Sequence, residues 1–116
     1  MTKGVNHHAG LAAEGSVGRW YEARGHVVLA RRWRGKGGEI DLIVDCGAEI
    51  VFVEVKASAT HHAAAQRIRP AQVARLQVSA QDWLDRNGRD ALTPMRFDVA
   101  LVDGQGIVDV IENALM

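Results

Sequence analysis

The sequence contains a single cysteine, Cys46, so the chain cannot form an internal disulfide. One lone cysteine is typical of a protein from a reducing compartment. Long hydrophobic runs are also absent: no apolar stretch approaches the roughly 20 residues that a membrane-spanning helix needs. The first ten residues, MTKGVNHHAG, lack the apolar core of a signal peptide. We therefore expect a cytoplasmic protein that makes no membrane contact.

An excess of charge of either sign is also lacking, because 14 basic residues balance 14 acidic ones. The balance excludes the strong basic surplus of proteins that hold nucleic acid through bulk charge. The cations are nevertheless clustered, and a local cluster can contact phosphates in a neutral protein. One short segment carries four of these cations: Arg31, Arg32, Arg34 and Lys36. A solvated loop accounts for this segment as well as a phosphate contact does. A second group contains Arg67, Arg69 and Arg75.

The length of 116 residues, with 47% hydrophobic residues, is enough for one domain with a substantial core. We expect a flexible N-terminus at residues 1–9 and a single domain over residues 10–116. Hydrophobic periodicity and turn residues predict two helices, Leu11–Arg24 and one from Pro70 that ends before Gly88. They predict five strands: HVVLARR, GEIDLIVD, IVFVEVK, RFDVALV and IVDVIEN. The segments WRGKGG and ASATHHAAAQRIR are predicted to be loops, the second partly disordered.

The predicted order is α-β-β-β-α-β-β. A helix that follows one strand and precedes the next is typical of a crossover that joins two parallel strands. The helix from Pro70 occupies this position between IVFVEVK and RFDVALV. The expected fold class is α/β, with a mixed sheet flanked by helices.

Two of the predicted strands carry ionisable residues where a buried strand would favour Val or Ile. Glu39 and Asp41 lie in GEIDLIVD, whereas Glu54 and Lys56 lie in IVFVEVK. If CGAE, centred on Gly47, is the turn of a hairpin, Asp41 lies opposite Glu54 and Glu39 lies opposite Lys56. All four side chains then project from one face, with directly opposite Cβ atoms about 4.5–5.5 Å apart.

Two carboxylates at this distance repel each other unless a cation lies between them. An Asp, a Glu and a backbone carbonyl form an oxygen-rich site that suits Mg²⁺ or Mn²⁺. Lys56, about 6.6 Å along the strand from Glu54, could hold a water or stabilise charge on a phosphate. The alternative is a cross-strand salt bridge between Glu39 and Lys56 on a wetted sheet face. The complete D-x₁₂-E-x-K pattern favours metal-assisted phosphodiester hydrolysis.

These residues also carry a resemblance to a known family. Over residues 10–116 the chain resembles the YraN-type family of small endonuclease-like bacterial proteins. The matching stretches are AEGSVGRWYEARGHVVLARRWRGKGGEIDLIV, VFVEVK, IRPAQVARL, RFDVALV and IENAL. That family looks like a minimal member of the PD-(D/E)xK nuclease superfamily, which includes the Holliday-junction resolvases. The resemblance implies a restriction-endonuclease-like fold.

The resemblance implies that Asp41 and Glu54 bind a metal ion and that Lys56 is the catalytic lysine. It adds Glu14, in the first helix, as a further acidic residue near the metal. Glu14 shares a helical face with Val17, so it can point inward; an exposed acid of the first turn is the alternative. Glu39 is implied to orient Lys56 or to reach the metal through water.

The chain departs from the family on the side expected to face nucleic acid. The family usually has a lysine where Gln72 stands, and a basic residue soon after the E-x-K lysine, where this chain has Ala57 and Ser58. Gln72 can still hydrogen-bond a water or a phosphate. The expected nucleic-acid contacts are Arg31, Arg32, Arg34, Lys36, Arg69 and Gln72.

Two function classes follow. The first is a Mg²⁺- or Mn²⁺-dependent nuclease that hydrolyses DNA, with branched or single-stranded forms as candidate substrates. The second is a nucleic-acid-binding module that keeps the scaffold without cleavage; a scaffold with a structural metal is a third, weaker reading. Related resolvases are dimers, so a homodimer is one option for the assembly. We assign His61 and His62 to a solvated loop, Asp98 to a structural contact with Arg96 or a helix, and Trp33 to a loop anchor.

Overall fold

A mixed five-stranded sheet with helices packed on it organises the chain. The computed structural model describes the backbone of residues 3–114 and the side chains of residues 10–114. The elements are α1 (Lys3–Glu22), β1 (Val27–Gly35), β2 (Gly38–Asp45), β3 (Ile50–Ala57), α2 (His61–Ala65), α3 (Pro70–Arg86), β4 (Met95–Val102) and β5 (Val108–Ile111). The strands lie in the order β1-β2-β3-β4-β5. The predicted α/β mixed sheet and element order are therefore confirmed, with the short helix α2 as an addition.

The crossover from β3 through α3 to β4 has the predicted form. β3 and β4 pair in parallel, with Phe52 opposite Phe97, and the other neighbouring strands pair antiparallel. Pro70 opens α3, where its missing N–H costs nothing. Gly88 lies just beyond the helix with a φ of 64°, a conformation that favours glycine.

Two core layers sandwich the sheet, so the central strands are apolar on both faces. The layer beneath α3 is built from Ile40, Ile43, Ile50, Phe52, Ala64, Leu76, Ala80, Trp83, Leu84, Val99 and Leu101. The layer beneath α1 is built from Ala13, Val17, Tyr21, Leu42, Val44, Val51, Val53, Ala100 and Val102. The candidate site residues described below lie where the continuous pairing between β2 and β3 stops.

Helix α1 begins at Lys3 and not at Leu11 as predicted, and it ends at Glu22 rather than Arg24. Residues 1–2 of the predicted flexible N-terminus lie outside the described residues. Gly18 explains why this helix tolerates glycine. A Cβ at Gly18 would lie 2.6 Å from Nη1 of Arg31, so glycine lets this guanidinium lie against the helix, and a larger residue would shift the end of the arginine side chain.

Both predicted loops were wrong in part. The segment WRGKGG is not a flexible loop, because β1 continues through Gly35 and turns directly into β2 at Gly38. Trp33 therefore lies in a strand, where it packs against the core layer beneath α3. The segment after Lys56 contains helix α2, whose first turn is capped by the Thr60 hydroxyl, which accepts the Ala63 N–H at 3.1 Å.

The structural role predicted for Asp98 is confirmed. Its carboxylate is fully buried and accepts hydrogen bonds from the Tyr21 hydroxyl at 2.7 Å and from Arg96 Nε at 2.8 Å. The backbone N–H of Asn113 donates to it at 2.9 Å. This buried charge ties α1 to β4 and to the end of the chain. Between residues 3 and 114, no helix combines the length and the apolar character needed to cross a membrane.

Candidate functional site

The β2–β3 hairpin has the register predicted from the sequence. Leu42 pairs with Val53 and Asp45 with Ile50, and Gly47 lies in the turn with a φ of 82°. Continued by one residue, this register places Asp41 opposite Glu54. The regular pairing, however, stops at Leu42 and Val53, and the strands part beyond it.

The carboxylate of Asp41 lies at the point where β2 and β3 part. In this antiparallel register the next hydrogen-bonded pair after Leu42 and Val53 would be Ile40 with Val55. Instead, the Val55 N–H donates to Oδ2 of Asp41 at 2.8 Å. The side chain thus replaces a backbone acceptor and satisfies a donor that the parting strands would otherwise leave free.

The neighbouring strand is irregular at the same level. Arg32 has a φ of 49°, which is unusual for a residue with a side chain. Ala30 and Trp33, on either side of the Arg31–Arg32 pair, both pack toward the α3 layer. Alternation along β1 is therefore broken, and both arginines reach the α1 side, Arg31 at Gly18 and Arg32 at Glu14.

Three carboxylates meet in the gap between the strands. One oxygen each from Glu14, Glu39 and Asp41 lies within 4.8 Å of the others. Glu14 belongs to α1, and only the family resemblance suggested it as a site residue. The structure brings it close to the two acidic residues of β2. Glu39, expected to orient Lys56 or to reach the metal through water, lies in this group, whereas Glu54 lies outside it.

Glu54 and Lys56 approach the gap from β3. Val53 and Val55 pack in the layer beneath α1, so alternation directs Glu54 toward α3. Lys56 Nζ lies 3.3 Å from Oε1 of Glu54, and both side chains are mostly buried. The predicted projection of all four side chains from one face was therefore wrong. They converge on an opening between two strands.

Burial and crowding raise the pKa values of the acidic residues. Desolvation raises the pKa of Asp41 most, and the negative charge of Glu54 raises it further, against the lowering effect of the Val55 N–H. Desolvation also raises the pKa of Glu54, with Lys56 opposing it. The pKa of Glu14 is raised by burial too, although Arg32 lowers it in part. The positive charge near the cluster is therefore too small to keep the pKa values of these carboxyl groups at their usual level.

Arginines partly neutralise the outer side of this cluster. Arg32 Nε lies 3.8 Å from Glu14 and 3.6 Å from Glu39. Arg34 Nη2, on a largely exposed side chain, lies 3.9 Å from Glu39. These distances are too long for strong hydrogen bonds, so the contacts are loose and the carboxylate oxygens keep acceptor capacity.

A cleft of about 780 Å³ opens beside the acidic cluster. Its floor includes Asp41, Glu54 and Lys56, and Glu14 stands on the α1 wall. The remaining walls are formed mostly by small residues of α1, of the segment after Lys56 and of the β4–β5 turn: Gly10, Ala12, Ala13, Ser16, Ala57, Ser58, Ala59, Gly104 and Gly106. Small side chains leave the carboxylates accessible from outside.

A smaller cleft of about 160 Å³ reaches the same gap from the α3 side. Glu39 and Glu54 line it together with Gln72 and Arg75. Gln72 Oε1 accepts the Arg69 N–H at 3.3 Å, so this side chain also closes the first turn of α3. The gap is therefore open on both faces of the sheet.

The turn that precedes Glu39 is fixed to α3. Ser79 Oγ accepts the Gly37 N–H at 2.9 Å and donates to the Gly38 carbonyl at 2.8 Å. Oδ2 of Asp82 accepts the Lys36 N–H at 2.9 Å. Gly37 must be small, because a Cβ there would collide with the Arg75 carbonyl oxygen. Since Glu39 and Asp41 follow directly, these contacts position the acidic strand.

The cations and the glutamine predicted to contact nucleic acid do not line the larger cleft. Arg31, Arg32 and Arg34 lie in β1, Lys36 in its turn, and Arg69 and Gln72 at the start of α3. The structure instead places Arg67 in the cleft wall. The sequence analysis grouped Arg67 with the clustered cations but did not place it at the site, and it did not identify the Ser79 contacts, because no local pattern shows how α2 and α3 fold back. His61, assigned to a loop, lies in α2 with Nε2 2.8 Å from the Ile107 carbonyl oxygen.

The donor set fits a hard divalent cation. Its ligand atoms are carboxylate oxygens, which are the ligands that Mg²⁺ and Mn²⁺ prefer, and the raised pKa values indicate negative charge without full compensation. A cation there would remove the repulsion between Asp41 and Glu54. With Lys56 at its edge, such an arrangement is able to bind and polarise a phosphate group.

Comparison with known proteins matches residues 13–102 to the family described as uncharacterised protein family UPF0102. A UPF0102 protein of Cereibacter sphaeroides strain KD131 is 51% identical over 114 residues, covering 98% of this chain and 97% of that protein. One of Ruegeria pomeroyi is 53% identical over 109 residues, 94% of this chain and 89% of its own. One of Dinoroseobacter shibae is 49% identical over 108 residues, with 93% and 81% covered. These matches confirm the family resemblance read from the sequence.

Proposed function

We propose that this chain, which belongs to the UPF0102 family, is a metal-dependent nuclease that hydrolyses phosphodiester bonds in DNA. One observation carries the proposal: three carboxylates from α1 and β2 meet at the opening between β2 and β3, beside the Glu54–Lys56 pair. A cluster of this kind costs folding free energy unless a cation compensates it. Its place on an open cleft makes it accessible to a substrate.

Asp41 and Glu14 are the proposed metal ligands, with Glu39 joining them on the ground of its distance. Glu54 remains a proposed ligand, since its negative charge raises the pKa of Asp41 more than any other cause except burial. When bound, Mg²⁺ or Mn²⁺ supplies a Lewis acid that polarises the phosphate and lowers the pKa of an attacking water. The raised pKa values of Asp41 and Glu54 support metal binding that is coupled to the release of a proton.

Lys56 has the position of the group that stabilises developing charge. Its ammonium lies 3.3 Å from Glu54 and faces the large cleft, so it can donate a hydrogen bond to a non-bridging phosphate oxygen or orient the attacking water. In the hydrolysis, water oxygen bonds to phosphorus, the bond to the leaving oxygen breaks, and that oxygen takes up a proton.

A cleft of this kind suits a single strand or a branched substrate. Its volume of about 780 Å³ lies in the range of small-ligand sites, so it accommodates a short length of one strand. We also propose a cytoplasmic location, which the lone cysteine supports. A homodimer is an option for the assembly, because two-fold symmetry is an advantage in cutting two strands.

A nucleic-acid-binding module without cleavage is the second candidate. The zero net charge and the salt bridge between Lys56 and Glu54 favour it, since Lys56 already compensates part of the charge that Glu54 would offer a metal. This candidate predicts binding that does not depend on the acidic cluster.

A cleavage assay with purified protein separates the two candidates. Labelled single-stranded, duplex, flapped and four-way-junction DNA, together with RNA, are incubated with Mg²⁺ or Mn²⁺. The matched variants are Asp41→Asn, Glu54→Gln and Lys56→Met, each close in shape to the native residue. Asp109→Asn, on the exposed part of β5, is the control.

Metal-dependent cleavage that Asp109→Asn retains and the three site variants lose would establish the nuclease. The best cleaved substrate would then identify the class of DNA. Absence of cleavage, with nucleic-acid binding equal in the wild type and the site variants, would overturn the nuclease and leave the binding module.

A further inference from the structure

We propose that Arg67 binds a phosphate of the nucleic-acid strand next to the one that is cleaved. This inference rests on the proposed nucleic-acid substrate and adds a residue to its recognition. Arg67 lies in the link between α2 and α3, eleven positions beyond Lys56 in sequence. In space, however, its guanidinium lies beside the end of β3, where it contacts Ala57.

The position of the Arg67 guanidinium is fixed by one contact. Its Nη1 donates to the carbonyl oxygen of Ala57 at 2.7 Å, and Ala57 directly follows Lys56. The backbone N–H of Arg67 donates to Ala64, a buried residue of the core layer beneath α3. Thus both the side chain and the backbone of Arg67 are held, and the charge is preorganised beside the catalytic end of β3.

The charge of Arg67 is available to a ligand. The salt bridges formed between residues 10 and 114 engage Arg32, Arg34, Arg86, Arg96, Lys56 and His61, and none engages Arg67. Its contact is with a neutral carbonyl, which uses one of five guanidinium donors. The remaining donors of this exposed side chain can bind a phosphate in a bidentate manner.

The cleft gives the phosphate a path from the acidic cluster to Arg67. Among residues 10–114, Lys56 and Arg67 are the two basic residues that line it. Asp103 also lines this cleft, but its carboxylate stabilises the β4–β5 turn. Its Oδ1 accepts the N–H groups of Gln105 and Ile107, each at 2.9 Å. A strand that lies along this cleft meets both cations in turn, which assigns the cleaved phosphate to Lys56 and the next one to Arg67.

Salt dependence of binding tests the proposal without relying on catalysis. Binding of a short fluorescent single-stranded DNA is measured by anisotropy in Ca²⁺ over a series of salt concentrations. The variants are Arg67→Gln, which keeps a hydrogen-bond donor, and Arg67→Lys, which keeps the charge. Arg89→Gln is the matched control, because Arg89 also has no salt bridge and lines neither cleft. Thermal unfolding verifies that each variant is folded.

We expect Arg67→Gln to weaken binding about fivefold at low salt, as for one exposed ionic contact. The slope of log K against log salt should fall by about 0.7, which is the value for one phosphate contact with a single strand. Arg67→Lys should restore the slope, and Arg89→Gln should leave it unchanged. In a cleavage assay, Arg67→Gln should raise KM and leave kcat nearly unaltered.

Equal slopes for the wild type and Arg67→Gln, in proteins that bind or cleave DNA, would overturn the role of Arg67 and leave the nuclease intact. An Arg67-dependent slope without metal-dependent cleavage would support Arg67 and reject the nuclease. A wild type that binds no nucleic acid would overturn both.

Discussion

The carboxylate of Asp41 accepts the backbone N–H of Val55 at 2.8 Å, in the place that a strand carbonyl would otherwise take. The same side chain lies within 4.8 Å of the carboxylates of Glu14 and Glu39. One residue therefore both closes the hydrogen bonding of the parted strands and brings negative charge to the gap. Stability and proposed function compete at this residue, and this conflict gives the first two predictions.

Asp41→Asn should stabilise the metal-free protein. Asparagine keeps an acceptor for Val55 but removes the charge that Glu54 and burial make costly. We expect a gain of about 1 kcal/mol in the free energy of unfolding, or about 4 °C in Tm. The same variant should lose the rise in Tm that we expect Mg²⁺ or Mn²⁺ to give the wild type. Thermal unfolding with and without metal measures both effects; an Asp109→Asn protein serves for comparison. A lower Tm for metal-free Asp41→Asn would contradict the prediction.

The metal-free protein should become less stable as pH rises above the ordinary range of carboxyl pKa values. The folded-state pKa values of Asp41, Glu54 and Glu14 are raised, so between the unfolded and folded pKa values the folded chain binds more protons. Stability therefore falls with rising pH in this window and levels off above it. Chemical denaturation across the pH range measures the slope.

Two other carboxyl groups act in the opposite direction at lower pH. Hydrogen bonds hold the pKa values of Asp82 and Asp103 below normal, although burial of each works the other way. Their stabilisation is lost as pH falls through those lowered values, which lies below the window of Asp41. The difference between the wild type and Asp41→Asn isolates the effect of Asp41. A difference that does not change with pH would refute the assignment.

Tyr21→Phe should destabilise the fold without altering metal binding. The Tyr21 hydroxyl donates to the fully buried Asp98 at 2.7 Å, and burial followed by this hydrogen bond raises the pKa of Tyr21 well above its usual value. Removal of a hydrogen bond to a buried charge costs about 1.5–3 kcal/mol. Urea denaturation measures the loss. Because Asp98 lies outside the acidic cluster, the metal-induced shift in Tm should remain; its disappearance would show that the two sites are coupled.

Ser79→Ala should loosen the turn before Glu39. The hydroxyl of Ser79 joins Gly37 and Gly38 to α3, and its removal leaves a partly buried N–H without that acceptor. We expect a loss of about 1–3 kcal/mol in the free energy of unfolding, with weaker metal binding because the acidic strand is less well held. Gly37→Ala should be worse, since its Cβ meets the Arg75 backbone. Val78→Ala, at an exposed position one residue earlier, is the control. Metal binding by Ser79→Ala equal to that of the wild type would argue against a positioning role.

Arg32→Gly should be more stable than Arg32→Ala. Both variants remove the charge near Glu14 and Glu39, but only glycine adopts a φ of 49° without strain. The left-handed conformation costs other residues about 1–2 kcal/mol, which sets the expected difference. Denaturation of the two variants side by side measures it. Equal stability would mean that the strand relaxes around residue 32.

Local patterns in the sequence were sufficient for the elements of the sheet. The alternation of GEIDLIVD and IVFVEVK, with Gly47 between them, determined the hairpin and its register. The apolar stripe that begins at Pro70 determined α3, and its place between two strands determined the parallel pairing of β3 with β4. These features depend on neighbours along the chain, so hydrophobic period and turn residues report them directly. The family resemblance then named Glu14, which no spacing connects to Asp41.

Only the tertiary structure decided how the functional groups meet. The ladder ends at Leu42 and Val53, so the acidic residues converge on a gap and not on one strand face. Arg67 returns to Ala57 because α2 folds between them, and the turn at Gly37 is held by Ser79 from the middle of α3. Such contacts join residues far apart in sequence, and their free energies arise from packing and hydrogen bonds across elements. The sequence alone therefore determined which residues carry charge, while the packing of α1, α2 and α3 on the sheet decided which of those charges share a site.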